Sequence, residues 1–320
     1  MIFRSNNKYK RPISLSTSLF SFIMLFSFTG ISYLLAQSET ANKRFVTQED
    51  RELEKIKINR VRTRTAVTYQ KGSFSKVSPE GVITEYIKFD KNGNRLEQTQ
   101  FRLGQFVDTK WVFENDANGN VSKLNGIDNL GKTVYERTSR YDENNNEIER
   151  IEVKANMSDD YISAFMYNSQ NMLTQVDTYK SNGDLIWSEK YTYEGNKLIQ
   201  QESVNEKGET VTVKKFKHNE AGLIIEEIDA SPNLDEPVSL ETYKYDNSGR
   251  VTEHETGSFR QLFYYDKNGD VELDILYNML KTRQHKFGFK YGDNGLLIER
   301  TRYGPTDKVV YVVEYEYEYY

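Results

Sequence analysis

Residues able to do chemistry are few in this chain, and they stand far apart. Three histidines, His218, His254 and His285, sit among charged neighbours and are separated by 30 residues or more, without the short spacing that a metal site needs. Each reads as a solvated strand position. The chain has no Cys, which excludes disulfides, zinc-thiolate sites, iron–sulfur clusters, thiol nucleophiles and a lipidated-cysteine anchor. It has no G-x-S-x-G elbow, Walker loop or H-E-x-x-H. Asp266-Lys267-Asn268-Gly269-Asp270 and Asp90-Lys91-Asn92-Gly93-Asn94 look superficially like calcium loops. An EF-hand, however, places its Gly sixth and adds a distal Glu, and here the Gly is fourth. Turn chemistry accounts for both runs without an ion. The 48 acidic residues supply many carboxylate pairs of the kind glycosidases use and single out none. The expectation is a chain with no metal, no cofactor and no catalysis.

Aromatic residues are the remaining clue: 23 Tyr, 17 Phe and 2 Trp. On a rigid sheet Tyr and Trp suit stacking on sugar rings or packing against a protein. Most of them precede a turn so regularly that they read as core. Trp111 and Trp187 break that regularity and are the candidate ligand contacts.

A repeat positions these side chains. From about residue 60 the same pattern returns: an aromatic, Asp or Asn, two polar residues, Gly or Asn, then apolar residues. It reads Phe89-Asp90 to Gly93, Tyr141-Asp142 to Asn145, Tyr167-Asn168 to Asn171 and Tyr245-Asp246 to Gly249, then Tyr265-Asp266 to Gly269 and Tyr291-Gly292 to Gly295. Altered copies end at Gly119, Gly195 and Gly222, so the nine closing positions are spaced 20 to 27 residues apart, most often 26. Such a period marks a repeat architecture. Asp or Asn bonds backbone N–H groups two residues on, and Gly or Asn in fourth place takes the left-handed conformation that closes a bulged hairpin. Weaker turn signals at the half period (Gly131, Asn182-Gly183, Lys207-Gly208, 231–237, Gly257-Ser258, Gly304-Pro305) divide each unit into two strands of about nine residues.

Alternation agrees. Tyr311, Val313, Tyr315, Tyr317 and Tyr319 share one face and Val312, Glu314, Glu316 and Glu318 the other. The fold expected is all-β, an antiparallel meander of eighteen to twenty strands over residues 60–320. It would form a long, twisted or coiled sheet, with aromatics on the better-covered face and Lys/Glu ladders outside.

These Tyr-Asp-x-x-Gly copies resemble the YD repeats of the Rhs/teneurin/insecticidal-toxin superfamily, over about residues 80–300. The resemblance implies a spiralling sheet of hairpins. In long members that sheet is a hollow shell around a toxin, and some copies are linked to carbohydrate binding at cell surfaces. This chain resembles a short, exported, stand-alone member without the toxin domain.

The N-terminal segment reads as an address. Arg4, Lys8, Lys10 and Arg11 precede an apolar run from Leu15 to Leu35, and Ala36 follows. That is the pattern of a secretory signal, residues 1–36, favoured over an uncleaved anchor, which would be the only membrane attachment. Residues 37–59 are polar. Thr47 and Asp50 form a capping pair and Leu53 and Ile56 a stripe, which predicts one helix between about 47 and 58 capping the repeat. The net charge is −5, and removing the basic leader makes it more negative, which disfavours nucleic acid and anionic lipid as partners. The sequence therefore supports an exported, non-catalytic repeat protein (periplasmic, cell-surface or extracellular) for binding or surface architecture, with a glycan or protein ligand. Alternatives are an outer-membrane β-barrel or a shell fragment of a toxin system.

Overall fold

The computed structural model describes residues 47–70, 80–102, 106–155, 157, 160–230 and 237–320. All belong to one compact unit. The signal segment, residues 1–36, lies outside the described residues, as do most of the polar stretch before Thr47 and the turn signal at 231–236.

Among the described residues one helix, α1 (Gln48–Ile58), precedes twenty strands. The first ten are β1 (Val61–Gln70), β2 (Val82–Phe89), β3 (Arg95–Arg102), β4 (Phe106–Asn115), β5 (Val121–Asp128), β6 (Thr133–Tyr141), β7 (Glu147–Lys154), β8 (Tyr161–Tyr167), β9 (Leu173–Lys180) and β10 (Leu185–Glu194). The rest are β11 (Lys197–Asn205), β12 (Thr210–His218), β13 (Ile224–Ala230), β14 (Pro237–Tyr245), β15 (Val251–Glu255), β16 (Phe259–Tyr265), β17 (Val271–Asn278), β18 (Arg283–Tyr291), β19 (Leu297–Tyr303) and β20 (Val309–Tyr319).

Each strand pairs antiparallel with the next, as the hairpin repeat requires. The long, twisted or coiled sheet expected from the sequence is not what forms. Strand β20 returns to β1 and pairs with it from Val61↔Tyr319 to Gln70↔Tyr311, so the meander closes into a barrel. Two physical reasons favour closure. Twist accumulated over so many strands brings the ends of a long sheet round toward each other. An open sheet would also leave two rows of unpaired backbone groups, which β1 and β20 here satisfy mutually. With an even strand number the first and last strands run in opposite directions, so closure keeps the antiparallel pattern.

The turns at one end are built alike. Asp142 Oδ1 accepts the backbone N–H groups of Asn144 and Asn146, each at 2.9 Å. The Asp266 carboxylate does the same for Asn268 and Asp270, which is what occupies the apparent calcium loop. All nine closing positions, Gly93, Gly119, Asn145, Asn171, Gly195, Gly222, Gly249, Gly269 and Gly295, have positive φ, as does Gly183 at the half period. Adjacent turns are stitched together, because Asn120 Nδ2 donates to Asn145 Oδ1 at 3.1 Å and Asn146 Nδ2 to Asn171 Oδ1 at 2.5 Å.

The tyrosine before each turn has a separate task. A register shift falls at that residue in most copies, for example at Arg140/Tyr141, Thr192/Tyr193 and Lys290/Tyr291, and a bulge of this kind leaves a backbone group unpaired. The ring then lies across the neighbouring strand and its hydroxyl donates to a carbonyl there. Tyr141 reaches Val121 O, Tyr167 reaches Glu147 O, Tyr193 reaches Leu173 O, Tyr291 reaches Val271 O and Tyr317 reaches Leu297 O, at 2.8–3.1 Å. Burial pushes the Tyr193 and Tyr265 hydroxyls up to about 12.

An apolar cluster at this same end includes the helix: Ile56, Val61, Ile87, Phe89 and Leu296 are almost fully buried, with Leu53 and Tyr317 against them. The predicted capping box is present, since Asp50 N donates to Thr47 Oγ1 and Thr47 N to Asp50 Oδ2. Polar contacts fix α1 further. Asp270 is 2% exposed and lies 2.5 Å from Lys55 Nζ and 3.3 Å from Arg51 Nε. Arg95 reaches Glu49 at 2.6 Å, and Arg64 pairs with Glu52. The helix therefore touches turns and strands on both sides of the β1–β20 seam.

Candidate functional site

The inner wall is traced from the residues that face α1. Arg64 and Tyr317 contact the helix, and the register carries their face from strand to strand through Ile87, Gln98, Trp111, Gly126 and Tyr135. Further round it includes Arg150, Phe165, Trp187, Tyr191, Lys214, Glu227, Tyr243, His254, Phe287, Arg300 and Tyr315. The opposite face carries cross-strand ion pairs: Glu97–Lys110, Glu226–Lys217, Glu253–Lys244 and Glu299–Lys290, at 2.6–2.9 Å or within a tenth of that range. Outward charge ladders and an aromatic, polar inner wall are thus the two sides of one sheet.

The densest polar cluster of the inner wall spans β12 to β15. The Tyr243 hydroxyl lies 3.1 Å from both Glu227 Oε1 and Glu241 Oε2. It has one proton to donate and so serves one carboxylate at a time. Lys214 Nζ is 3.2 Å from Glu227 Oε2 and 3.5 Å from Asp229, which also accepts from Ser239 Oγ at 2.6 Å. His254 is buried, in contrast to the solvated position expected from its charged neighbours. Its ring lies flat on Tyr243 with centroids 4.6 Å apart, meets Phe259 edge-on, and places Nε2 2.9 Å from Glu241. His285 is likewise largely covered, 3.7 Å from Asp274 and tilted against Phe287. The sequence missed this because alternation sets which face a residue takes, whereas burial on that face depends on closure.

This cluster splits two carboxyls. The hydrogen bond from His254 holds Glu241 below the usual carboxylate range, while burial pushes Glu227 above it. Both oxygens of Glu227 are engaged, one by Tyr243 and one by Lys214. The arrangement ties four strands together and offers no free base with a nucleophile beside it.

The two tryptophans both face inward, six strands apart on β4 and β10, so the structure does not bring them together. Trp111 covers Gly126: a Cβ there would come within 2.7 Å of its ring, and Tyr135 packs edge-on at 5.6 Å from the other side. The His and Asp/Glu side chains form no group of metal-binding geometry among the described residues.

The structure is thus a closed hairpin barrel with tyrosine-clasped turns at one mouth. Residues 182–319 match the teneurin YD-shell family. That match covers somewhat less than half of the chain, and with the recurring turns it supports a YD/Rhs-repeat, shell-like protein. Among solved structures, the chain is similar to the Tc holotoxin pore of Photorhabdus luminescens, with 10% identity and a TM-score of 0.33, covering 69% of this chain and 14% of that one. It is also similar to a porin-like protein of Bacteroides uniformis, with 10% identity and a TM-score of 0.35, covering 81% and 97%. This chain thus spans a small part of the toxin chain's length. No curated protein is a relative by sequence.

Proposed function

We propose that this protein is a non-catalytic shell module of the YD type, acting outside the cytoplasm, whose inner wall holds a protein partner. One observation carries the reading: β20 closes on β1, so the aromatic and charged face looks into an enclosed space and the ion-pair ladders look out. The YD-shell match over residues 182–319 supports it, and the basic-then-apolar N-terminal segment supports export. A membrane-spanning barrel would need an apolar, lipid-facing band, and the charged outward rows do not supply one. Protein fits better than glycan as the ligand, because Trp111 is spent covering Gly126 and Tyr135 and does not present an open face to a sugar ring. Trp187 stays as the inner-wall contact proposed for that partner.

Photo-crosslinking in the producing cell tests this. A crosslinking residue is placed at Trp187, facing in, or at Lys190, facing out. Capture of a discrete protein from position 187 alone is expected. Equal capture from both positions, or capture from position 190 alone, would overturn the reading.

A further inference from the structure

Most cations of the inner wall are neutralised by an acid beside them. Arg64 pairs with Glu52 and Glu85, Arg150 with Glu147, and Lys214 with Glu227 and Asp229. Arg137 has Glu152 opposite it on β7. Strand β19 is different. Arg300 and Arg302 both face inward, and neither has a carboxylate within ion-pair distance among the described residues. Arg300 lies over the Phe287 ring, 5.6 Å from its centroid, and Arg302 over the Tyr311 ring at 5.8 Å. In the register Arg300 sits between Phe289 and Val313, and Arg302 between Phe287 and Tyr311. Tyr315, half-buried, is close enough to feel the charge of Arg300.

Stacking uses the face of a guanidinium and leaves its N–H groups, which lie in the plane, free to bind a carboxylate through two parallel bonds. Arg300 Nε is buried without a hydrogen-bond partner, as are those of Arg64, Arg95 and Arg137, so the Nη groups are the ones that would meet an incoming carboxylate. Two residues along a strand advance roughly 7 Å. That is the same-face repeat of an extended chain, so two acids at alternate positions of such a segment meet both arginines. Titratable groups of the same wall around them are Asp274 and His285, diagonal neighbours 3.7 Å apart on β17 and β18, Tyr311, and Tyr315, which also feels Arg64, Glu52 and Glu85.

We propose that Arg300 and Arg302, framed by Phe287, Phe289, Tyr311 and Tyr315, form a docking shelf for an extended acidic peptide segment carrying Asp or Glu at alternate positions. The shelf deepens the shell reading above by naming the chemistry of the partner. A polypeptide is favoured over nucleic acid because Arg300 and Arg302 span only about 7 Å of one strand, enough for two carboxylates but not for the many phosphates over which a nucleic acid spreads its binding.

The test measures fluorescence anisotropy of a labelled Glu-Thr repeat peptide with the full chain, beside its Gln-Thr counterpart and a single-stranded oligonucleotide. The Glu peptide alone is expected to bind. R300Q/R302Q should weaken it at least tenfold, with R300K/R302K between that variant and wild type because lysine keeps charge but loses the two-bond geometry. R62Q on the outer face, whose partner is Glu318, should bind as wild type does. Thermal melts of each variant separate lost binding from lost folding, and the Lys pair carries the test if the Gln pair fails to fold. Equal binding of the Gln peptide, an unchanged affinity in both double variants, or tighter binding of the oligonucleotide would overturn the shelf. No binding of the Glu peptide would do so too, and if position 187 still captured a protein, the shell reading would stand without it.

Discussion

At the scale of single residues, the repeat gives each recurring position a distinct physical duty. The Asp or Asn gathers the turn's N–H groups, the fourth residue takes the left-handed conformation, and the tyrosine bridges to the next strand's carbonyl. Tyr193→Phe keeps the ring and removes only its hydroxyl, which leaves Leu173 O without that donor. The expected loss is about 1 kcal/mol, read from denaturant unfolding. An unchanged midpoint would mean that the ring, and not the bond, matters. His254 makes a different prediction because its contact with Glu241 is linked to pH. Glu241 has its folded-state carboxyl lowered, chiefly by the His254 hydrogen bond. Its contribution is therefore full above the ordinary carboxylate range and lost as pH falls through the lowered value. His254→Phe preserves an aromatic ring against Tyr243 and removes the nitrogen. Melting curves at pH 7 and pH 4 should show a smaller acid loss in the variant than in wild type. Parallel pH profiles would show that Glu241 does not depend on this histidine.

At the scale of elements, the hairpins were readable and the helix was readable in part. Turn residues act locally, so a Tyr-Asp-x-x-Gly run carries its own geometry wherever it occurs, and alternation along β20 assigns its faces. Two half-period turns show the limit. Lys281 takes positive φ with no glycine to announce its turn, and Asp307 does so three residues after Gly304, which marks the turn but not its left-handed position. For α1, the capping pair and the stripe of Leu53 and Ile56 foretell a helix, but its docking depends on residues more than 200 positions away. Asp270 is the clearest of these. It is almost fully buried, whereas Arg51 and Lys55 are about a quarter exposed. Removing the acid leaves two cations facing each other, but removing Lys55 leaves Asp270 its other partner, Arg51. Asp270→Asn should therefore destabilise the protein by roughly 2–3 kcal/mol, clearly more than Lys55→Gln. Hydrogen exchange should report the loss first in α1 and in the strands beside the seam. If Lys55→Gln costs as much as Asp270→Asn, the paired-cation account of α1 docking is wrong.

At the scale of the whole molecule, the sequence could not announce closure, since no local signal links residues 61–70 to 311–319. The pairing of β1 with β20 is set by how much twist twenty strands accumulate, a quantity summed over the entire sheet. Nothing in the composition of either edge strand measures it. Closure also turns an alternating face into an inside, which is why His254 is covered despite charged sequence neighbours. This makes the seam the decisive place to probe. Thr65 lies opposite Glu316 on the outward face, and cross-strand partners have the Cα separation that a disulfide accepts. The chain has no other cysteine, so Thr65→Cys with Glu316→Cys gives one defined pair. Oxidation should yield an intramolecular bond in a monomer that migrates faster without reductant. The bond closes a loop of some 250 residues, for which the chain-entropy relation allows up to about 5 kcal/mol of stabilisation. The pair Thr65→Cys with Glu314→Cys, displaced by two positions along β20, should oxidise poorly within one molecule. An open coil would hold β1 and β20 on separate edges. Both pairs would then stay reduced or link different molecules, and the barrel, its enclosed wall and the partner inside it would all have to be abandoned together.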